Sequence, residues 1–188
     1  MEPYFLQIGN DMPGVTGKTA TMFGWDVTTS NDGTVVAGSS REKYTSGGDW
    51  ITVVKIFEYN EQTDNWDPKG SPPSWLNGAN EEGFGYSISL NGDGSIIAVG
   101  SRAQGSYQIG DFVKIFEYNQ STDNWVQKGN DISVSAQSRS KTTTNNTHVD
   151  WFGYSVALND AGTRVVIGAP GVDVVIGDPT AYGGYARV

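Results

Sequence analysis

The seven residues Val54-Lys55-Ile56-Phe57-Glu58-Tyr59-Asn60 occur a second time, without change, as Val113-Lys114-Ile115-Phe116-Glu117-Tyr118-Asn119. Each copy is followed by Thr-Asp-Asn-Trp, at residues 63–66 and 122–125, and then by Lys-Gly at 69–70 and 128–129. Self-similarity at this spacing indicates copies of one supersecondary unit that stack on one another. The repeat therefore decides the fold class.

Two further segments of the unit occur three times. The first starts with Phe-Gly, and the Phe residues, Phe23, Phe84 and Phe152, stand 61 and 68 residues apart. The second is an apolar run after a turn, and its copies lie at 34–38, 95–100 and 163–168. These segments define repeat units of approximately 22–70, 83–132 and 151–188.

The two ends of the sequence also fit the repeat. Residues 5–12 align with 125–132, so we expect residues 4–12 to supply a fourth strand. Residues 183–188 align with 110–115, inside the third segment of a unit. We therefore interpret residues 1–188 as a single segment made of three four-element units in permuted register.

Each segment of the unit has the composition of a β-strand. The segments are short, rich in Val, Ile, Phe, Tyr and Trp, and bounded by Gly, Asn, Asp or Ser. Asp32-Gly33 and Asp93-Gly94 stand between two such runs and are typical of hairpin turns. No window shows the apolar spacing of an amphipathic helix, so the sequence predicts an all-β chain.

The third segment indicates how the strands are buried. Phe112, Phe116 and Tyr118 alternate with Val113 and Ile115, so both faces of this strand are apolar. A four-stranded antiparallel sheet that lies between copies of itself covers both faces, as in a blade of a β-propeller. We predict about three such blades, as a partial propeller or as part of an oligomeric or longer ring. A β-sandwich gives no reason for a four-element repeat, and an open solenoid usually has repeats of about 20–30 residues.

The motif residues resemble the FG-GAP repeat, the blade unit of the integrin α-subunit propeller. Phe-Gly occurs in all three units, and the third unit also has a complete Gly-Ala-Pro triplet. The matching residues are Phe23, Gly24, Phe84, Gly85, Phe152, Gly153, Gly168, Ala169 and Pro170. The resemblance implies a β-propeller that serves in cell adhesion or another surface interaction.

Composition excludes several classes of function. A formal charge of −9 argues against a nucleic-acid or anionic-membrane binder, because both need a basic face. The chain has no Cys and one His, which excludes thiol chemistry and multi-histidine metal sites and leaves the redox compartment undetermined. No apolar window is long enough for a membrane-spanning helix, so no membrane insertion is expected. The residues after Met1 lack the basic and apolar regions of a signal peptide, so none is expected in this chain.

The resemblance also raises the question of calcium, because propellers of the FG-GAP type often bind it in a carboxylate-rich loop. The turns after the first segment offer only single carboxylates, Asp32, Asp93 and Asp160, each beside an Asn or a Gly. A calcium ion needs six to eight oxygen ligands. We therefore predict hairpin turns there, with no bound calcium and no other metal or cofactor.

The paired Asp-Asn-Trp segments are the candidate ligand site. Trp66 and Trp125 could stack on a pyranose ring while Asp64 and Asp123 accept hydrogen bonds from its hydroxyl groups. The alternative is that each Trp packs the outer strand after an Asx turn, which we favour because Phe5 replaces the Trp in residues 4–12.

Catalytic patterns are scarce. His148 lies in a polar tract, residues 133–150, typical of an exposed loop, and Glu81-Glu82 lies between two units, where solvated charge is expected. We therefore predict no catalytic residue and no enzyme activity.

Two tripeptides match the N-glycosylation pattern, at Asn119 and Asn145, and favour an extracellular or cell-surface location. A propeller needs about four to eight blades to close, so we expect a protein partner or further blades across the exposed end strands. The predicted function is a non-catalytic interaction or adhesion module of an extracellular or cell-surface assembly, and the alternative is a glycan-binding propeller lectin.

Overall fold

The computed structural model describes residues 6–12, 20–43, 50–70, 76–77, 83–102, 111–133, 151–170 and 184–188. Every regular element in these ranges is a β-strand, which confirms the prediction of an all-β chain for the described residues. The described part of the chain contains no helix that could cross a membrane.

The strands of the described residues are β1 (Ala20–Thr21), β2 (Val27–Thr29), β3 (Val35–Lys43), β4 (Trp50–Asn60), β5 (Asn65–Pro68), β6 (Leu76–Asn77), β7 (Phe84–Leu90), β8 (Ile96–Ser101), β9 (Phe112–Asn119), β10 (Asn124–Gln127), β11 (Ile132–Ser133), β12 (Ser155–Leu158), β13 (Val165–Ala169) and β14 (Tyr185–Arg187).

These strands form three antiparallel sheets. Sheet 1 has the order β1-β3-β4-β5, with β2 also beside β3 and β6 also beside β4. Because β1 and β2 pair with different parts of β3, they follow one edge, and β5 and β6 follow the opposite edge along β4 in the same way. Sheet 1 is therefore a four-stranded meander in which β1 and β2 share one edge position and β5 and β6 share the other.

Sheets 2 and 3 repeat this meander. Sheet 2 has the order β10-β9-β8-β7, with β11 also beside β9, and sheet 3 has the order β12-β13-β14. No described strand of one sheet pairs with a strand of another sheet, and the described strands do not close into a barrel.

Strand register shows which residues are equivalent. Ile97 pairs with Phe116 in sheet 2 as Val36 pairs with Phe57 in sheet 1. In sheet 3, Ile167 pairs with Arg187 as Val99 pairs with Lys114 in sheet 2. The sequence repeat is thus a repeat of backbone pairing, and each residue of one sheet has a defined equivalent in the next.

The sheets pack face to face through two apolar clusters. The first joins sheets 1 and 2 through Val35, Ala37, Val54, Ile56, Leu76, Phe84, Ile88, Leu90, Ile97, Val99, Phe112 and Trp125. The second joins sheets 2 and 3 through Ala98, Val113, Phe152, Ile167 and Ala169. Phe112, Phe116 and Tyr118 belong to the first cluster, and Val113 and Ile115 belong to the second. The prediction that both faces of this strand are covered is confirmed.

The turns after β2 and β7 are closed by their own Asp residues. The Asp32 Oδ1 accepts hydrogen bonds from the backbone N–H of Thr34 at 2.9 Å, from the Thr34 hydroxyl at 2.8 Å and from the Ser30 hydroxyl at 2.7 Å. These donors, the Thr34 N–H foremost, lower the pKa of Asp32 to about 2. Gly33 follows with φ of 76°, a conformation that glycine adopts without a Cβ clash.

Candidate functional site

Each sheet is joined to the next by a backbone hydrogen bond between equivalent turns. The N–H of Asn31 donates to the carbonyl oxygen of Gly92 at 2.8 Å, and the N–H of Gly92 donates to the carbonyl oxygen of Asp160 at 2.9 Å. These three residues occupy the same place in the three units. The geometric relation between sheets 1 and 2, called here the step between sheets, is therefore repeated between sheets 2 and 3.

Hydroxyl groups on the first strand of the unit repeat the same step. The N–H of Leu90 donates to the Thr28 Oγ1 at 3.2 Å, and the N–H of Leu158 donates to the Ser89 Oγ at 3.0 Å. Thr28 and Ser89 are equivalent residues, and the hydroxyl oxygen of each accepts a hydrogen bond from a backbone N–H of the following sheet. Sequence reasoning missed them, although small polar residues at equivalent positions were a usable signal.

A second pair of side chains crosses the same interfaces two residues earlier. The Asp26 Oδ2 accepts a hydrogen bond from the N–H of Ile88 at 2.8 Å. The hydroxyl of Ser87, the residue equivalent to Asp26, donates to the carbonyl oxygen of Gly153 at 2.8 Å. The polar atoms of this strand are therefore engaged in holding sheets together.

The phenylalanines of the Phe-Gly dipeptides pack on the third strand of their own sheet. Phe23 contacts Phe57 edge to face at 6.2 Å between ring centroids, and Phe84 contacts Phe116 in the same way at 6.2 Å. Phe152 is fully buried, and the Arg187 guanidinium lies 5.6 Å from its ring centroid. Phe84 and Phe152 therefore lie in the core, whereas Phe23 packs on Phe57 at intermediate exposure.

The small residues of the motif adopt backbone conformations and form backbone hydrogen bonds that shape the start of each unit. The glycines Gly24, Gly85 and Gly153 have φ values of 86°, 76° and 88°. Gly168 and Ala169 lie in β13, where the Gly168 carbonyl oxygen accepts a hydrogen bond from Gly153 N–H at 3.2 Å. Pro170 is exposed after the strand ends. In the third unit, the two halves of the motif are therefore in direct contact.

Each of the two candidate sugar-stacking tryptophans lies against the segment that comes before its own sheet: Trp125 against the end of β5, and Trp66 against residues 6–12, where we expected a fourth strand and the structure has none. The Trp125 Nε1–H donates to the carbonyl oxygen of Lys69 at 3.0 Å, and the Trp66 Nε1–H donates to that of Ile8 at 3.1 Å. Each ring packs on a tyrosine, Trp125 on Tyr118 at 5.4 Å between centroids. Trp125 is 8% exposed, so the geometry agrees with the packing alternative more closely than with an open stacking surface.

The partner carboxylates, Asp64 and Asp123, bind tyrosine hydroxyls on the same sheet. The Tyr118 hydroxyl donates to the Asp123 Oδ1 at 2.6 Å, and the Tyr59 hydroxyl donates to the Asp64 Oδ1 at 2.7 Å. The bond to Asp123 raises the pKa of Tyr118 to about 12, because ionising the phenol would remove the shared proton beside a carboxylate. Both Asp residues have φ of 50° in their turns.

The remaining candidates fall partly within the described residues. Asn119 is exposed at the end of β9, and its Oδ1 accepts hydrogen bonds from the N–H and hydroxyl of Ser121. Asn145 and His148 lie outside the described residues. The described ranges contain no group of three or more His, Cys, Asp or Glu side chains that could hold a metal ion.

One groove of about 810 Å³ lies on the outer part of sheet 2. It is lined by Glu117, Tyr118, Asn119, Gln120, Ser121, Val126, Gln127 and Lys128. In sheet 1, the residue equivalent to Lys128 is Lys69, whose ammonium group lies 4.6 Å from the centroid of the Tyr118 ring of sheet 2. The Lys69 side chain is 11% exposed and the Lys128 side chain 51% exposed, so the groove is a sheet face without the cover that sheet 2 gives to sheet 1.

An aromatic cluster surrounds Arg102 at the start of the first strands. Its guanidinium carbon lies 4.3 Å from the centroid of the Trp151 ring and 5.1 Å from that of Tyr86, whose hydroxyl accepts a hydrogen bond from Nη1 at 3.2 Å. Tyr86 and Tyr154, equivalent residues of sheets 2 and 3, are 5.1 Å apart between centroids. The cluster ties sheets 2 and 3 together beside the Phe-Gly dipeptides.

Comparison with protein-family models and with curated proteins gave no match to this chain.

Proposed function

We propose that the chain is a non-catalytic interaction module of an extracellular or cell-surface assembly, built on consecutive β-propeller blades of the FG-GAP type. The observation that carries the proposal is the repeated step between sheets, in which equivalent turns are joined by the Asn31–Gly92 and Gly92–Asp160 hydrogen bonds.

A repeated step favours a propeller because twisted four-stranded sheets packed face to face rotate by a constant angle about an axis. Sheet 2 is buried on both faces, as the blades of a propeller are: Val99 on one face and Ala98 on the other are fully buried. The Phe-Gly and Gly-Ala-Pro residues support the FG-GAP assignment, since they occupy structural positions at the start and end of the paired first and second strands.

The use of the polar side chains supports a non-catalytic role. Asp26, Thr28, Ser87 and Ser89 line the first strands, and each forms a hydrogen bond to the backbone of the next sheet. A serine or aspartate held in this way contributes to packing, and a catalytic role would require it to face a substrate.

Glycan binding is the second candidate, and the groove on sheet 2 favours it. The groove brings together hydrogen-bonding groups of Asn119, Gln127 and Glu117. Sugar sites bind hydroxyl groups through a few amide and carboxylate groups of this kind.

A binding screen separates the two candidates. The full chain is applied to a glycan array and to a panel of extracellular matrix and cell-surface proteins. The interaction module predicts binding to a protein and to no glycan. Glycan binding that is lost in Gln127→Ala, and retained in the control Gln62→Ala on the distant β4–β5 turn, would replace it with the lectin. Absence of both kinds of binding would count against both candidates.

A further inference from the structure

The outer face of sheet 3 exposes residues whose equivalents are buried. Val166 is 42% exposed, whereas the equivalent Ala98 and Ala37 are fully buried under the next sheet. Val188 is 84% exposed, whereas the equivalent Ile56 is 5% exposed. Sheet 3 thus presents the same face that sheets 1 and 2 use to receive a following sheet.

The outer face of sheet 1 shows the converse. Val27 is 64% exposed, whereas its equivalent in sheet 2, Ile88, is 5% exposed against sheet 1. Thr29 is also exposed, whereas its equivalent in sheet 2, Leu90, is 6% exposed. Sheet 1 thus presents the face with which sheet 2 packs on a preceding sheet.

These two faces, Val27 with Thr29 on sheet 1 and Val166 with Val188 on sheet 3, are the two halves of the interface that the chain already forms twice within itself. We propose that a second copy of this chain docks head to tail, with sheet 1 of one copy on sheet 3 of the other. The proposal rests on the proposed propeller, because only a constant rotation between sheets makes the two faces meet in a closed ring.

Residues 6–12 show how the junction is completed. The Trp66 Nε1–H donates to the Ile8 carbonyl oxygen at 3.1 Å, just as the Trp125 Nε1–H donates to the Lys69 carbonyl oxygen at 3.0 Å. The N–H of Gly9 also donates to the Asp64 Oδ1 at 3.1 Å. Residues 6–12 therefore occupy, beside sheet 1, the place of the outer strand of a preceding sheet.

In the head-to-tail pair, that preceding sheet is sheet 3 of the second copy. Residues 6–12 of one copy then lie along the edge of β14 of the other, which no described strand of its own chain covers. Each junction is then a composite blade, with three strands from one copy and residues 6–12 of its partner in the place of the fourth.

The number of copies follows from the number of sheets. The described residues of each copy form three sheets, and a propeller closes with about four to eight blades. Six is the only multiple of three in that range, so the proposed ring holds two copies of residues 1–188, with twice their mass of 20.2 kDa.

The test uses two charge variants of the full chain, Val27→Asp on one face and Val166→Asp on the other, with sedimentation velocity as the readout. Both valines are exposed in the single chain, so folding, checked by circular dichroism, should be retained. Wild type is expected to sediment as a dimer. Each variant should dimerise about 100-fold or more weakly, because the new carboxylate is buried without a partner. Gln62→Asp, which adds the same charge in the exposed β4–β5 turn, should dimerise like wild type.

Mixing the two variants gives the decisive result. One intact interface remains between an unmodified sheet 1 and an unmodified sheet 3, so an equimolar mixture should form dimers at concentrations where each variant alone is monomeric. A folded wild-type monomer, a larger assembly, or a mixture that stays monomeric would overturn the head-to-tail ring and leave the interaction module standing. A wild-type chain without β-structure would overturn both.

Discussion

At the residue scale, the glycines of the Phe-Gly dipeptides share one backbone conformation but differ in their surroundings. A Cβ on Gly24 would meet nothing within 4 Å, whereas a Cβ on Gly153 would lie 2.9 Å from the Phe112 carbonyl oxygen. Gly24→Ala should cost about 1 kcal/mol from positive φ alone. Gly153→Ala should cost about 2–4 kcal/mol, because backbone of sheet 2 must also shift.

Urea denaturation of the two variants measures this difference. Equal losses of unfolding free energy would contradict the close approach of sheets 2 and 3 at Gly153.

The carboxylate of Asp32 makes a pH-dependent contribution to stability. Its pKa is lowered from 3.8 to about 2 in the folded chain, so the contribution is present above pH 3.8 and is lost as the pH falls through 2. Asp32→Asn should therefore lower the urea midpoint at pH 7, and the difference from wild type should shrink between pH 4 and pH 2. A difference that stays constant over this range would show that the charge has no part in closing the turn.

At the element scale, the strands of the repeat could be predicted from sequence because their burial follows a period of two. The alternation of Phe112, Phe116 and Tyr118 with Val113 and Ile115 identified two buried faces, and the two apolar clusters divide these residues in that way. The two-residue strands β1, β6 and β11 carry too few residues to show a period.

The contacts between sheets could not be predicted in the same way. The bonds from Leu90 to Thr28 and from Leu158 to Ser89 depend on the offset between neighbouring copies, which no periodicity within one copy encodes. The candidate site has the same limit. Trp66 and Trp125 were identified from their motif, but the acceptors of their indole N–H groups, Ile8 and Lys69, could be found only from the arrangement of the sheets.

The outer tryptophans give a prediction at this scale. Trp125→Phe keeps an aromatic ring beside Tyr118 but removes the donor to the Lys69 carbonyl oxygen, so it should cost about 1–3 kcal/mol. Trp66→Phe should cost less, because its acceptor lies on Ile8, which is half exposed to water. Thermal unfolding of the two variants checks the order, and a larger loss for Trp66→Phe would contradict the burial of Trp125 between sheets 1 and 2.

At the scale of the whole molecule, the same pair of hydrogen-bonded contacts joins sheet 1 to sheet 2 and sheet 2 to sheet 3. One such contact could arise in any pair of packed sheets. Two equivalent contacts indicate that the same rotation and translation relates each sheet to the next, and this relation supports both the propeller and the head-to-tail ring. The open groove beside Lys128 and the exposed valines Val27 and Val166 are then the surfaces that no neighbouring sheet covers.

The most direct measurement is the scalar coupling across hydrogen bonds in the deuterated, ¹³C,¹⁵N-labelled protein. Equal steps predict two cross-peaks, from the Asn31 amide nitrogen to the Gly92 carbonyl carbon and from the Gly92 amide nitrogen to the Asp160 carbonyl carbon. Detection of couplings within the sheets without one or both of these two would contradict the repeated step.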